Sequence, residues 1–197
     1  MRAKMGRIVV AVAIFLGASV ADANTVTLDF ESLTTSGTGY SGLGVSYTEQ
    51  GFGFEAYPTG GLYHYHSDDE HFAGSTALFH MQMGGTSNTL LTERDGLVFD
   101  LVSLDLSEIR PDASSVSAVL VGTKGDSSTV STSLTLDGVF GFETFTLQGF
   151  TNLTELRLED DIAMFQYDNI TVNVIPEPTT VSLLALGLVL VRRRGNL

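Results

Sequence analysis

Hydrophobic and polar residues alternate in short runs from Asn24 to Ile175, and turn-forming residues lie between the runs. Alternation with a period of two is typical of half-buried β-strands, and no stretch of this region shows the 3.6-residue period of a capped amphipathic helix. The runs predict about nine to eleven short strands. We therefore expect residues 24–175 to form one all-β domain, a two-sheet antiparallel β-sandwich of jelly-roll type.

Three local features make this expectation specific. The alternation changes phase between Leu101 and Val102, which one inserted residue, a β-bulge, would explain. A turn at residues 124–126 lies between two alternating runs and predicts a hairpin. Phe52 and Phe54 occupy alternate positions of one predicted strand, so we expect both rings to face the opposite sheet.

The first 23 residues differ in composition from the domain. They contain basic residues at positions 2, 4 and 7, an apolar run over residues 8–16, and an Ala-Asp-Ala triplet at residues 21–23. This order is typical of a secretory signal peptide cleaved after the triplet. We therefore expect residues 1–23 to be removed and the protein to be exported across the inner membrane.

Residues 176–197 form a second distinct segment. It contains an apolar run over residues 181–191, which as a helix would reach only about 16 Å, short of the ~30 Å hydrocarbon core of a bilayer. The run lies between a Pro-Glu-Pro tripeptide and an arginine cluster, formed by Pro176, Glu177, Pro178, Arg192, Arg193 and Arg194.

The three parts of this segment, in this order, resemble the PEP-CTERM sorting signal of Gram-negative bacteria. The resemblance implies recognition by an exosortase-type membrane protease, transient contact with the inner membrane through the apolar helix, and delivery to the cell surface or the exopolysaccharide matrix. The alternative is a single membrane span whose arginines stay in the cytoplasm, which would tether the protein at the inner membrane.

Charge narrows the range of partners. The formal net charge is −13, and between residues 24 and 175 four basic side chains stand against 21 carboxylates. So acidic a domain is a poor binder of nucleic acid, but it favours hard cations such as calcium. The chain has no cysteine, which excludes disulfides, thiolate catalysis and cysteine-ligated metals.

The domain opens with Leu-Asp-Phe-Glu at residues 28–31 and closes with Tyr-Asp-Asn-Ile-Thr-Val at residues 167–172. This pair of motifs resembles β-sandwich carbohydrate-binding modules. The resemblance implies that the first and last strands are neighbours and that Asp29, Glu31 and Asp168 share a structural calcium ion; no other cofactor is expected. Without calcium, the same carboxylates would be strand-edge charges that discourage aggregation.

Residues 63–71 contain three of the four histidines and three carboxylates. On a strand His64 and His66 point to the same side, as two ligands of one metal must. With Glu70 they resemble the first half of the cupin motif, which implies an alternative function, a metal-dependent jelly-roll enzyme. The leading glycine of that motif is replaced by Pro58, and its second half is missing. The other interpretations are a polar surface loop and adventitious metal binding.

Aromatic residues are concentrated between residues 40 and 65. Sugar rings stack on exposed aromatic faces, so Tyr57, Tyr63 and Tyr65 beside Asp68 predict a carbohydrate platform; the alternative is that these rings belong to the core. The sequence contains no nucleophile elbow, zinc-protease motif or phosphate-binding glycine loop. We therefore expect an exported, non-enzymatic protein of the cell surface or extracellular matrix, with a structural or carbohydrate-binding role.

Overall fold

The computed structural model describes residues 24–82, 87–111, 116–160 and 165–176. The described residues form thirteen strands and one short 3₁₀ turn at Glu31–Leu33. The strands are β1 (Asn24–Leu28), β2 (Tyr40–Gly44), β3 (Ser46–Glu49), β4 (Phe52–Tyr57), β5 (Gly61–Tyr65), β6 (Phe79–Met81), β7 (Ser87–Glu93), β8 (Val98–Glu108), β9 (Ser117–Lys124), β10 (Thr129–Thr135), β11 (Glu143–Thr146), β12 (Leu153–Asp160) and β13 (Phe165–Ile175).

Both predicted targeting segments lie outside these residues, apart from Pro176, which directly follows β13. This applies to the signal peptide at residues 1–23, to Glu177 and Pro178, and to the apolar run with its arginine cluster. Within the described ranges, no helix has the length and hydropathy needed to cross a bilayer.

Ten strands form the two layers of a sandwich, with antiparallel pairing throughout. One layer has the order β1-β13-β8-β11 and the other the order β3-β4-β7-β12-β9-β10. In the described structure one residue pair, Leu153 with Phe99, connects the layers by strand pairing. The orders β1-β13-β8-β11 and β7-β12-β9-β10 are those of a jelly roll, and β4 and β3 extend the second layer. The predicted two-sheet sandwich of jelly-roll type is confirmed.

Aromatic rings from the two layers meet in the core. Phe52 of β4 contacts Phe99 of β8 edge to face at 5.4 Å between ring centroids, and Phe54 stacks on Tyr167 of β13 at 6.3 Å. The Tyr167 hydroxyl donates a hydrogen bond to Thr89 Oγ1 of β7 at 3.1 Å, so the polar atom of this buried ring has a partner. The predicted core position of Phe52 and Phe54 is confirmed.

The predicted β-bulge is also confirmed. On β13, Thr171 and Val172 are consecutive, but their partners on β8 are Ser103 and Leu101, which leaves Val102 as the extra residue. Phe99 and Leu101 before the bulge, like the apolar side chains after it, can therefore all face the core. The predicted hairpin at residues 124–126 is formed by β9 and β10.

The remaining three strands form a small sheet of order β2-β5-β6. Reciprocal backbone hydrogen bonds between Leu78 and Tyr167, at 3.0 and 2.9 Å, attach the chain just before β6 to β13. The small sheet is thereby fixed to the sandwich at a fully buried residue of the core. The sequence did not predict a separate sheet here, because β2 is rich in glycine and β6 has only three residues.

Candidate functional site

The small sheet carries a cluster of four aromatic side chains. Tyr65 stacks on Phe79 with ring centroids 4.6 Å apart, and Tyr63 stacks on the same ring at 5.7 Å. Tyr40 meets Tyr63 and Tyr65 edge to face at 5.6 and 6.3 Å. Offset stacks and edge contacts are the favoured aromatic geometries, so the rings hold one another in place. Tyr40 remains 53% exposed and offers an apolar surface to solvent.

A cavity of about 800 Å³ lies beside this cluster. Its volume falls within the range of small-ligand sites. The lining combines aromatic and polar residues and consists of Gly39, Tyr40, Tyr65, Asp69, Glu70, His71, Met81, Arg110 and Pro111.

Asp69 is the best anchored polar group of the cavity. Its carboxylate accepts hydrogen bonds from the backbone N–H of Gly39 at 2.6 Å, from the backbone N–H of His71 at 3.0 Å, and from His71 Nδ1 at 2.8 Å. Desolvation disfavours the charged form, but these hydrogen bonds outweigh it, and the pKa of Asp69 lies below its usual value. Asp69 is therefore a fixed, ionised acceptor at neutral pH.

His71 and Tyr65 connect the polar residues of the cavity with the aromatic cluster. The two rings stack at 5.0 Å between centroids with an interplanar angle of 21°. Burial, helped by the charge of Asp69 and opposed by Arg110, raises the pKa of Tyr65 to about 12. The phenol thus stays neutral over the physiological range and can both donate and accept a hydrogen bond. Glu70 and Arg110 are exposed at the same cavity and add an acceptor and a donor.

The predicted carbohydrate residues have different positions. Tyr65 lines the cavity, and Tyr63 belongs to the aromatic cluster behind it. Asp68 instead accepts a hydrogen bond from the backbone N–H of Gly37 at 2.9 Å. Tyr57, at the end of β4, is 47% exposed and does not line the cavity.

Sequence reasoning did not assign Tyr40, Asp69, His71 or Arg110 to this site. For Asp69 and His71 a signal was available, because a carboxylate two residues before a histidine can accept its backbone N–H and bind its ring. For Arg110 no local signal exists. It follows β8 and reaches the cavity only through the packing of the small sheet.

The three residues of the cupin-like motif do not assemble into a metal centre. His64 is buried, which lowers its pKa and keeps it neutral, and its Nδ1 has no hydrogen-bond partner among the described residues. His66 Nε2 is hydrogen-bonded to Ser41 Oγ at 2.8 Å, and the two imidazole rings lie 6.0 Å apart. Glu70 lines the cavity described above. Within the described residues, His64, His66 and Glu70 do not form a group of three whose ligand atoms all lie within 4.8 Å of one another.

The first and last strands of the domain are neighbours, as the resemblance to carbohydrate-binding modules implied. Just beyond β1, Glu31 accepts the backbone N–H of Thr76 at 3.2 Å. Asp168 of β13 is fully buried. It accepts a hydrogen bond from the hydroxyl of Ser75, the residue before Thr76, and another from the backbone N–H of Asn169 at 2.7 Å. Glu31 and Asp168 thus bind neighbouring residues of one loop.

Burial raises the pKa of Asp168 to about 7, and the charges of Glu31 and Asp105 act in the same direction. Asp29 is placed differently, because it accepts the backbone N–H of Glu31 at 3.3 Å and acts electrostatically on Glu49. Of the three predicted calcium ligands, the structure brings together Glu31 and Asp168. The set Asp29, Glu31 and Asp168 does not place three ligand atoms within 4.8 Å of one another in the described chain.

No protein-family model and no curated protein sequence matches the chain. Among solved structures it is similar to a mutant of CBM29-2, a family 29 carbohydrate-binding module, with 7% identity over 79% of this chain and 87% of that one and a TM-score of 0.45. For the CBM22 tandem domain of Paenibacillus barcinonensis Xyn10C, the values are 10% identity, 81% and 48% coverage, and a TM-score of 0.41. A family 29 module from Piromyces equi has 11% identity to this chain, the alignment covers 71% of this chain and 91% of that one, and the TM-score is 0.40. Function is therefore inferred from the geometry of the site itself.

Proposed function

We propose that this domain binds carbohydrate in the cavity beside the small sheet. The observation that carries the proposal is the half-exposed ring of Tyr40, which lines one cavity together with Tyr65, Asp69 and Arg110. A sugar presents an apolar ring face and a rim of hydroxyl groups, and it needs both kinds of surface at once. The role is binding, without a chemical step.

Each group of the cavity has a defined part in this proposal. The half-exposed ring of Tyr40 packs against the apolar face of a sugar ring, and Tyr65, whose ring already stacks on Phe79 and His71, contributes its hydroxyl group. Asp69 accepts a hydrogen bond from a hydroxyl group and Arg110 donates one, and such charge-assisted bonds are the stronger ones. Asp69 is already held by Gly39 and His71, so little conformational freedom is lost when it binds the ligand.

The test is binding of the purified protein to a panel of bacterial exopolysaccharides and plant polysaccharides by affinity electrophoresis. Tyr40→Ala is expected to weaken clearly the retardation that the wild-type protein shows. Tyr57→Ala is the matched control, because Tyr57 has nearly the same exposure and lies outside the cavity lining. Equal loss in both variants, or no retardation of the wild-type protein by any polymer, would contradict the proposal.

We further propose that the protein is exported and sorted to the cell surface or matrix by its terminal segments. The support is the three-part composition of residues 1–23 and the Pro-Glu-Pro, apolar and arginine order of residues 176–197. The protein purified from its native surface is expected to begin near residue 24 and to lack Arg192 to Arg194. Mass spectrometry of both termini of the mature protein tests this expectation, and an intact arginine cluster would argue against sorting.

We also propose that Glu31 and Asp168 hold a structural calcium ion. Two carboxylates that bind neighbouring residues of one loop, one of them buried and with a raised pKa, form a partial set of oxygen ligands for a hard divalent cation. Calcium is expected to raise the melting temperature, and Glu31→Gln and Asp168→Asn are expected to remove part of that rise. An unchanged rise in both variants would contradict this assignment.

A further inference from the structure

A second group of carboxylates lies at the end of the layer that contains β8 and β11. Glu108 is the last residue of β8, Glu143 is the first residue of β11, and Asp137 lies between β10 and β11. Each offers a carboxylate oxygen within 4.8 Å of an oxygen of the other two. Segments distant in sequence therefore bring three negative charges together.

Glu108 distinguishes this group from an ordinary acidic surface patch. Its side chain is fully buried, and one oxygen, Oε1, accepts the backbone N–H of Gly138 at 2.8 Å. The other oxygen, Oε2, is also buried and has no hydrogen-bond partner in the part of the chain that the structure describes. A buried carboxylate oxygen without a partner loses its hydration and gains nothing in return, so native proteins rarely leave one in that state.

Backbone N–H groups of the loop after β10 bind one oxygen of each of the three carboxylates. The backbone N–H of Asp137 binds Glu143 Oε1 at 2.9 Å, and the backbone N–H of Val139 binds Asp137 Oδ1 at 2.7 Å. None of the three acidic residues forms a salt bridge within the described chain. Their mutual repulsion is thus not balanced by an arginine or lysine of the described structure.

We propose that Glu108, Asp137 and Glu143 bind a divalent calcium ion. The group consists entirely of carboxylates, and such hard oxygen donors suit calcium, while zinc prefers nitrogen and sulfur. An ion here would give Glu108 Oε2 a partner, neutralise the cluster, and connect β8, β11 and the loop between β10 and β11. This site is separate from Glu31 and Asp168 and does not depend on the proposed sugar site.

The experiment is a calcium chloride titration of the metal-free full-length chain, followed by amide NMR. Site-specific shifts are expected at Gly138 and Val139, whose N–H groups bind the carboxylates of this cluster. Asn169, whose N–H binds Asp168, reports separately on the other proposed calcium site. Saturable shifts at Gly138 and Val139 support the inference, and shifts confined to Asn169 overturn it without affecting the other site.

Variants make the titration quantitative. Glu143→Gln and Asp137→Asn each remove one charged ligand and are expected to weaken calcium binding at Gly138 by about tenfold or more. Glu155→Gln on β12 makes the same chemical change at another half-buried position, outside the cluster, and is expected to leave the affinity unchanged. Glu108→Gln should behave like Glu143→Gln if it folds. Equal affinity in Glu143→Gln, Asp137→Asn and Glu155→Gln would overturn the proposal.

Discussion

Two aromatic groups in this domain come from one stretch of sequence and have different environments. Phe52 and Phe54 alternate on β4, are fully buried, and meet rings of the opposite layer. Tyr40 and Tyr65 lie on the small sheet, where Tyr65 stacks on Phe79, and the half-exposed ring of Tyr40 meets Tyr65 edge to face. The first group has a layer packed against it, while the second borders a cavity. Aromatic content alone thus predicts neither stability nor binding; the environment of each ring separates the two roles.

The largest effect is expected from Phe54→Ala. This substitution removes a ring that contacts Phe30 at 5.1 Å and Tyr167 at 6.3 Å, and it leaves a cavity between the layers. Loss of about 3–5 kcal/mol in the free energy of unfolding is expected, measured by urea denaturation. At a temperature where the variant is folded, polysaccharide affinity should be retained. A stability loss below about 1 kcal/mol would erase the distinction between the two aromatic groups.

The second largest effect is expected at Asp168 of β13, which binds Ser75 in the segment that leads to the small sheet. The pKa of Asp168 is raised to about 7 in the folded protein, while in the unfolded chain it is about 4. Between about pH 4 and pH 7 the carboxyl group is therefore protonated more fully in the folded state than in the unfolded state. In EDTA, stability should therefore fall as pH rises from about 4 to 7, by at most about 4 kcal/mol. Asp168→Asn should flatten this part of the profile, measured by urea unfolding across pH. An identical slope in the variant would show that Asp168 ionises freely.

Tyr40→Ala should separate binding from stability. The ring is half exposed and lies outside the sandwich core, so the free energy of unfolding should change by less than about 1 kcal/mol. Polysaccharide affinity should fall by about 1–2 kcal/mol, the usual scale for an aromatic anchor. Isothermal titration calorimetry and urea denaturation of the same preparation measure both quantities. A large stability loss with unchanged affinity would place Tyr40 in the structural group.

Tyr57→Ala is expected to have the smallest effect. Tyr57 is 47% exposed at the end of β4 and lies outside the cavity lining, so both stability and affinity should stay within about 0.5 kcal/mol of the wild-type values. The same two measurements apply. A marked loss of affinity would extend the binding surface along β4 and away from the small sheet.

Much of the sandwich could be predicted from sequence because its strands obey a local rule. The phase change at Leu101 and Val102 located a bulge, and alternation placed Phe52 and Phe54 in the core. Alternation identifies which side chains share a face, and in a two-layer fold one face is the core.

The candidate site was less predictable because it depends on contacts between distant segments. Asp68 and Asp69 are adjacent in sequence, but Asp68 binds the backbone of Gly37 while Asp69 lines the cavity. The small sheet rests on the three residues of β6 and a glycine-rich strand, which alternation detects poorly. Glu108 occupies a strand end, and nothing in its local sequence indicates that its side chain is buried.

The antiparallel pairing of β1 with β13 has a mechanical consequence. Asn24 lies opposite Val174, so the two ends of the domain leave from adjacent positions at one edge of the layer. A force applied between these ends would break the residue pairs of β1 and β13 one after another, starting at Asn24 with Val174 and ending at Leu28 with Ile170. Such a domain resists little load between its own ends. A surface protein held by its C-terminal side alone would place no load on this pair.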